Sequence, residues 1–303
     1  MEPKNRVTIK GVTLRLAYTL QMKEPLNFNY LNCEPLHIEA GDGFHSHPYY
    51  EIYYFHTGKC NYIIGDRIHV LEPGDLILMH GMTLHQAHPE PVVPYIRTTL
   101  HFYPSVIEEY VQPEKAKRLL EPFERLNNEV IHLSKAQQME VELIFTQMNE
   151  LFLKHEEQDW SYDRFVFKLC DFLVMTALFS ETAMKHRRIL SDKEEHLQRI
   201  ITYLEVHYME EMNLSDIASA LHLSKPYMAA LFKELTGTTI IKYLYQRRIN
   251  QAKLLFRLQP DLSVTEVSRK AGFKQISHFS RTFKQAAGCT PEAYRTSQVS
   301  RLR

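Results

Sequence analysis

The sequence predicts a two-domain α+β chain: an antiparallel β domain, then a helical pair, then an all-α module with two helix-turn-helix motifs. Three observations carry this. Short aromatic and β-branched runs separated by turn signals fill residues 1–103. Helical periodicity takes over at Pro104. Beyond residue 213 the same helix-turn-helix pattern is written twice.

In the β domain, the runs 49–55 (Tyr-Tyr-Glu-Ile-Tyr-Tyr-Phe) and 60–64 (Cys-Asn-Tyr-Ile-Ile) read as strands joined by a turn at 56–59. Gly65-Asp66 is a hairpin signal, and Glu72-Pro73-Gly74-Asp75 is another that leads into the run 76–79. Residues 95–102 give one more strand. Many short strands with evenly spaced turns indicate a sandwich or barrel.

Residues 104–184 form a helical connector. The stretch 105–126 has helical patterning interrupted at Pro113 and Pro122, and Ser134 caps a helix running to about Glu157. The stretch 160–182 is apolar nearly all round, which predicts burial. This pair packs on the β domain or on the same pair of a second copy. Residues 185–191, with Lys185-His186-Arg187-Arg188, are a basic linker, and 192–298 form the helical module, whose first helix spans 194–212.

The formal net charge of zero hides an asymmetry. From Asn213 onward there are fifteen Lys+Arg against five Asp+Glu, a net of +10, so the preceding part carries −10. A basic module made for a polyanion is thus joined to an acidic module with another task. Cys33, Cys60, Cys170 and Cys289 form no CxxC pair and read as reduced thiols. Residues 172–179 are the longest apolar run, far too short to span a bilayer. With no leader pattern in Met1–Lys10, a soluble cytoplasmic protein without membrane contact is expected.

The duplicated motif runs from Leu214-Ser215-Asp216-Ile217-Ala218 to Gly237, and from Val264-Thr265-Glu266-Val267-Ser268 to Gly288. Ile217 and Val267 are fifty residues apart, whereas Phe232/Phe283 and Gly237/Gly288 are fifty-one apart, so the second copy has one extra residue between its short helices. Ile217, Ala218, Leu221, Val267, Ala271 and Phe273 fall where the two helices of each motif touch, and Phe232, Phe279 and Phe283 read as core. The stretch 240–258 is a long helix that holds the two motifs apart.

Ala271-Gly272-Phe273, Ser277, Phe279-Ser280-Arg281, Phe283-Lys284, Gly288, Pro291 and Tyr294-Arg295 resemble the C-terminal signature of the AraC/XylS family of bacterial transcription regulators. The first half agrees through Ile217-Ala218, Leu223-Ser224, Leu231-Phe232-Lys233, Gly237, Arg248 and Ala252-Lys253-Leu254-Leu255. The resemblance implies seven helices and binding to double-stranded promoter DNA. It places Lys225, Pro226, Ala229, Ala230 and Lys233 on the DNA face of the first recognition helix, and Gln275, Ile276, Ser277, Ser280, Arg281 and Lys284 on the second. Arg281 suits a bidentate contact to guanine and Gln275 to adenine, so the second helix is expected to discriminate sequence. Lys233 and Lys284 suit phosphate.

In the N-terminal domain, Gly41-Asp42-Gly43-Phe44-His45-Ser46-His47-Pro48-Tyr49-Tyr50-Glu51 resembles the first cupin motif, and Pro73-Gly74-Asp75 with His85 resembles the second. His45, His47, Glu51 and Tyr53 share strand parity and project from one face. His45, His47, Glu51 and His85 are a complete ligand set for a divalent transition metal, or they hydrogen-bond a polar effector together with Tyr53 and Arg97. His101 is a further pocket candidate, whereas His37, His56, His69, His80 and His88 are expected at surfaces or turns.

The expectation is therefore a regulator, not an enzyme, in which a cupin domain senses a small polar molecule such as a sugar. Its remaining partners would be RNA polymerase and a second copy of the chain, with activation of carbohydrate-related genes as the output. A metal-dependent cupin enzyme joined to a DNA-binding module is the alternative, and a divalent transition metal is the one cofactor candidate.

Overall fold

The computed structural model describes residues 6–9, 12–15, 26–33, 43–91, 93–125, 128, 130–154, 160–182 and 190–301. The expectations on His37, Gly41, Asp42 and residues 185–188 lie outside them.

Strands β1 (Arg6–Ile9) and β2 (Val12–Arg15) pair as a small ribbon. Strands β3 (Leu26–Asn32), β4 (Tyr50–Thr57), β5 (Cys60–Ile64), β6 (Arg67–Val70), β7 (Asp75–His80), β8 (His85–Pro89) and β9 (Ile96–Phe102) follow, with β10 (Val130–His132) arriving later in the chain. They form an antiparallel five-stranded sheet, β10-β7-β4-β9-β3, and a three-stranded sheet, β6-β5-β8. The strand signals at 49–55, 60–64, 76–79 and 95–102 correspond to β4, β5, β7 and β9.

Strand parity divides β4 between two cores. Tyr53 and Phe55 point inward with Tyr62, Ile64, Ile77 and Met79 into the space between the two sheets. Tyr50, Ile52 and Tyr54 point outward with Leu76, Leu78 and Leu100 into a larger core. That core is closed by α1 (Pro104–Glu108), α2 (Pro113–Arg125), α3 (Lys135–Leu153) and α4 (Ser161–Thr182). Ser134 caps α3 with a full capping box. The helical pair thus packs on its own β domain, and β10 extends the sheet from within residues 104–184.

The expectation that residues 160–182 are buried all round is corrected. Phe165, Val166, Leu169, Phe172 and Leu173 are buried, but Phe167, Val174 and Leu178 are 57%, 49% and 59% exposed, with Trp160 at 74%. Among the described residues no sheet or helix covers this side of α4, where Tyr110 meets Phe167 edge to face. Four histidines are also placed differently. His56, His69, His80 and His88 are half-buried in β4, β6, β7 and β8, where burial lowers the pKa of each, to about 4 for His56 and His69.

Seven helices follow among the described residues: α5 (Asp192–His207), α6 (Leu214–Leu221), α7 (Lys225–Thr236), α8 (Ile240–Leu258), α9 (Val264–Lys270), α10 (Ile276–Ala287) and α11 (Pro291–Arg301). Helix α5 ends at His207, short of the expected 212. Arg248, 8% exposed, satisfies the carbonyls beyond that end, donating to Tyr208 at 2.6 Å and Glu210 at 2.7 Å. Arg248 is therefore a structural arginine.

The helix-turn-helix caps and turns locate the extra residue of the second copy. Leu223 N donates to the Ala218 carbonyl and Phe273 N to the Ser268 carbonyl, pairs that are fifty residues apart. The N-caps Ser224 and Gln275 are fifty-one apart. The insertion is therefore Lys274, between the turn and the second recognition helix. The turns bend through left-handed residues, His222 at φ 57° and Gly272 at φ 87°.

The two halves differ in what supports them. The first half shares its core with the β domain, since Phe44, Ile63, Ile68 and Leu84 pack with Leu197, Ile200, Leu231, Phe232 and Tyr243. The second half has its own core of Phe256, Val267, Ala271, Phe273, Phe279 and Phe283.

Candidate effector site and DNA interface

Antiparallel register sets Glu51 on β4 directly opposite His101 on β9. An isolated bridge sets His45 opposite His85. These two pairings bring four imidazoles and one carboxylate to one end of the β domain. Glu51 Oε2 lies 3.1 Å from His47 Nε2, 3.5 Å from His85 Nε2 and 3.4 Å from His101 Nε2. His45, His47 and His85 can also bring one ring nitrogen each within 4.8 Å of one another.

Three of the rings are oriented by the backbone. His45 Nδ1 lies 3.1 Å from the Gly43 carbonyl, His47 Nδ1 3.3 Å from that of Tyr49, and His85 Nδ1 2.7 Å from that of Thr83. A carbonyl accepts only from Nδ1–H, so each neutral ring keeps its lone pair on Nε2. The buried His85 Nε2 has no good hydrogen-bond partner, its 3.5 Å approach to Glu51 being a charge contact.

Lone pairs converging on a carboxylate oxygen require positive charge between them, supplied by protons or by a divalent cation. Histidines tethered through Nδ1 and converging through Nε2 fit a metal ion. Two overlapping sets of donors could hold one, His45 with His47 and His85, or His47 with Glu51 and His101.

The electrostatics agree. Burial alone would raise the Glu51 pKa, but the charge of His101 and the close approach of the His101, His47 and His85 ring nitrogens hold it well below the usual carboxylate range. Burial lowers the His47 pKa against the pull of Glu51. His45 keeps an exposed edge, yet crowding by the cluster, and then the His85 charge, lowers its pKa as well.

The other expected effector residues fall outside this cluster. Tyr53 is deeper in the interior, its hydroxyl 2.6 Å from that of Tyr95. Arg97 pairs with Phe55, four residues along β9 from His101 or about 13 Å of strand, and stacks over Tyr95 at 4.7 Å. Gly81 was not anticipated from the sequence. A Cβ there would run into the His47 ring and the Tyr49 carbonyl, so only glycine lets the chain pass. The missed signal is the sequence position itself, on the return of β7 beside the His-x-His segment.

On the helical module, Lys225, Pro226, Ala230 and Lys233 of α7 are exposed and Ala229 is half-buried, while Met228, Leu231 and Phe232 face the core. On α10, Ile276, Ser277, Arg281 and Lys284 are exposed with the preceding Gln275, and Ser280 is half-buried. Phe279 and Phe283 are 0% exposed, as core residues should be. Gln275 makes no side-chain cap hydrogen bond, which leaves its amide free to face a base edge. Tyr227 is an exposed aromatic beside Ala230 that sequence reasoning passed over, and its hydroxyl sits 2.9 Å from His196 of α5.

Residues 37–166 match the AraC-like ligand binding domain and residues 217–297 match a helix-turn-helix domain. The chain thus carries an AraC-like ligand binding domain and a helix-turn-helix domain, and its relatives are AraC-family transcription regulators. One AraC-family relative, the uncharacterized HTH-type transcriptional regulator YdeC of Bacillus subtilis, is 34% identical over 34% of this chain and 35% of its own length. The chain spans about a third of the length of the first curated relatives it matches, between 30% and 37%. Other relatives align across most of both chains. The Msm operon regulatory protein of Streptococcus mutans is 23% identical over 81% of this chain and 84% of its own. The transcriptional activator RhaR of Mannheimia succiniciproducens is 22% identical over 89% and 93%. Among the described residues, no helix is long and apolar enough to cross a membrane.

Proposed function

We propose that this chain is an effector-responsive transcription regulator that binds promoter DNA through α7 and α10 and senses a polar small molecule, such as a sugar, or a divalent metal at the histidine–glutamate cluster. The observation that carries it is the pair of recognition helices whose apolar faces are buried and whose Lys225, Lys233, Gln275, Arg281 and Lys284 remain exposed. The net charge of +10 beyond residue 213 supplies the attraction to phosphate. Activation through RNA polymerase is the output favoured here, because a relative aligned over most of both chains is a transcriptional activator. As a regulator of promoters the protein would work in the cytoplasm, as a homodimer joined through the exposed side of α4.

The test is selection of a duplex from a random library by the full-length protein, followed by competition against unselected DNA. Equal affinity for both would sink the reading.

A second reading, a metal-dependent enzyme in the β domain, is favoured by the same convergent donors His47, Glu51, His85 and His101. A metal-loaded protein that turns over a substrate but selects no duplex would establish it.

A further inference from the structure

A cavity of about 710 Å³ separates the β domain from the DNA-binding helices, the size of a small-metabolite site. Phe44, His45 and Leu84 form one wall, and α8 and α10 form the other. The helical wall is one-sided in charge. Lys242, Lys253 and Arg281 line it, with no Asp or Glu among its described lining residues. Lys253 is half-buried with no hydrogen-bond or ion-pair partner among the described residues, and that burial lowers its pKa.

Two amide oxygens of α8 at this cavity lack hydrogen-bond partners among the described residues. Asn250, 4% exposed, donates its Nδ2 to the Met82 carbonyl at 3.1 Å. That bond fixes the amide orientation and leaves the buried Oδ1 without a partner among the described residues. One turn earlier on the same helix, the buried Gln246 Oε1 also lacks one. Buried acceptors without donors are uncommon in folded proteins. A ligand that completed this wall would bring a negative charge for Lys253 and hydroxyl donors for Asn250 and Gln246.

We propose that this interdomain cavity binds a small hydroxylated anion, a phosphorylated or carboxylated sugar, and that its occupancy draws Arg281 away from DNA. A neutral sugar would leave Lys253 unpaired in a dehydrated site, and a simple anion would leave the two amide oxygens empty. The coupling to DNA rests on the regulator reading, because it takes Arg281 as a base-reading side chain. An Arg281 guanidinium that pairs with the bound anion cannot also make a bidentate contact to guanine. His45 lines this cavity and also belongs to the histidine cluster, so the two sites share a wall.

The experiment uses the full-length protein at fixed ionic strength. Thermal unfolding is followed with glucose 6-phosphate, gluconate, glucose and inorganic phosphate, and each probe is tested for release of a library-selected duplex. One of the two sugar anions is expected to raise Tm by several degrees and to weaken selected-duplex binding about tenfold, while glucose and inorganic phosphate do neither. K253M should abolish the shift, K253R should restore it, and K115M, at an exposed lysine of α2, should leave it intact. A shift by glucose equal to that of the anions, no shift by either anion, or an anion shift that survives K253M each overturns the proposal. Duplex selection by the ligand-free protein, measured alongside, tests the regulator reading separately.

Discussion

The ring of Phe44 meets the ring of Tyr243 edge to face, with centroids 4.6 Å apart. Phe44 precedes His45 and His47 in the β domain, and Tyr243 is a fully buried residue of α8 in the core of the first helix-turn-helix half. The segment that carries His45 and His47 is therefore anchored in the core that holds α7. Phe44→Ala should destabilise the protein by about 3–5 kcal/mol. It should also uncouple the domains, so that a ligand at the histidine cluster still raises Tm but no longer changes DNA affinity. Unchanged coupling, read by fluorescence anisotropy with the selected duplex, would remove Phe44 from the link.

Arg281 and the two lysines separate base reading from phosphate attraction. Arg281→Ala should lose about 1–3 kcal/mol on the selected duplex and little on random DNA. Lys233→Ala and Lys284→Ala should weaken both DNAs alike, each lowering the salt slope by about 1. Equal loss on the two DNAs for Arg281→Ala would move sequence discrimination off α10.

Gly81 is the sharpest handle on the histidine cluster, since a methyl group there collides with His47 and with the backbone at Tyr49. Titration of the metal-stripped protein with Zn²⁺, Ni²⁺ or Mn²⁺ should raise Tm by an amount set by RT ln(1 + [L]/Kd). Gly81→Ala and His85→Ala should each remove that rise. Metal stabilisation that survives both variants would place the ion elsewhere.

The exposed stripe Trp160, Phe167, Val174 and Leu178 runs along α4 on the side away from the sheet. Large contiguous apolar patches are uncommon on monomers. Phe167→Glu combined with Leu178→Glu should convert a dimer to a monomer in sedimentation equilibrium without changing the far-ultraviolet spectrum. A wild-type protein that is already monomeric at micromolar concentration would exclude this interface.

His56 and His69 set an acid limit on stability. Both have pKa values lowered by burial to about 4 from an unfolded value of 6.5. In that window the unfolded state binds protons that the folded state does not, so stability is full above pH 6.5 and falls toward pH 4. Each contributes at most about 1.4 kcal/mol per pH unit. His56→Gln should flatten the decline measured by urea denaturation between those pH values, while an unchanged slope would assign it to other groups. The His56 ring sits 2.8 Å from the Thr98 hydroxyl, a bond that glutamine can replace.

The DNA module was nearly complete in the sequence. Its helices are local objects defined by caps and periodicity, as the capping boxes at Asn213 and Ser263 illustrate. The duplication even predicted an extra residue, although only the turn hydrogen bonds assigned it to Lys274. The β domain was legible in its strong strands and not in its pairings. Arg97 was placed in the effector site and His101 was only a further candidate until register put His101 opposite Glu51. The mixed character of α4 escaped for a related reason, because a helix that is apolar all round does not declare which side finds a partner.

By itself, then, the sequence determined the order of β and helical segments, the two recognition helices, the charge asymmetry and the candidate donors at His45, His47, Glu51 and His85. These depend on periods of two and 3.6 residues and on residue chemistry, all of which are local. Tertiary structure decided that Arg97 stands apart while His101 joins, that Gly81 clears a path for His47, and that Asn250 and Lys253 face the β domain across a cavity. Those outcomes depend on which distant segments touch, and contacts between residues 34 to 168 positions apart leave no periodic trace in the chain.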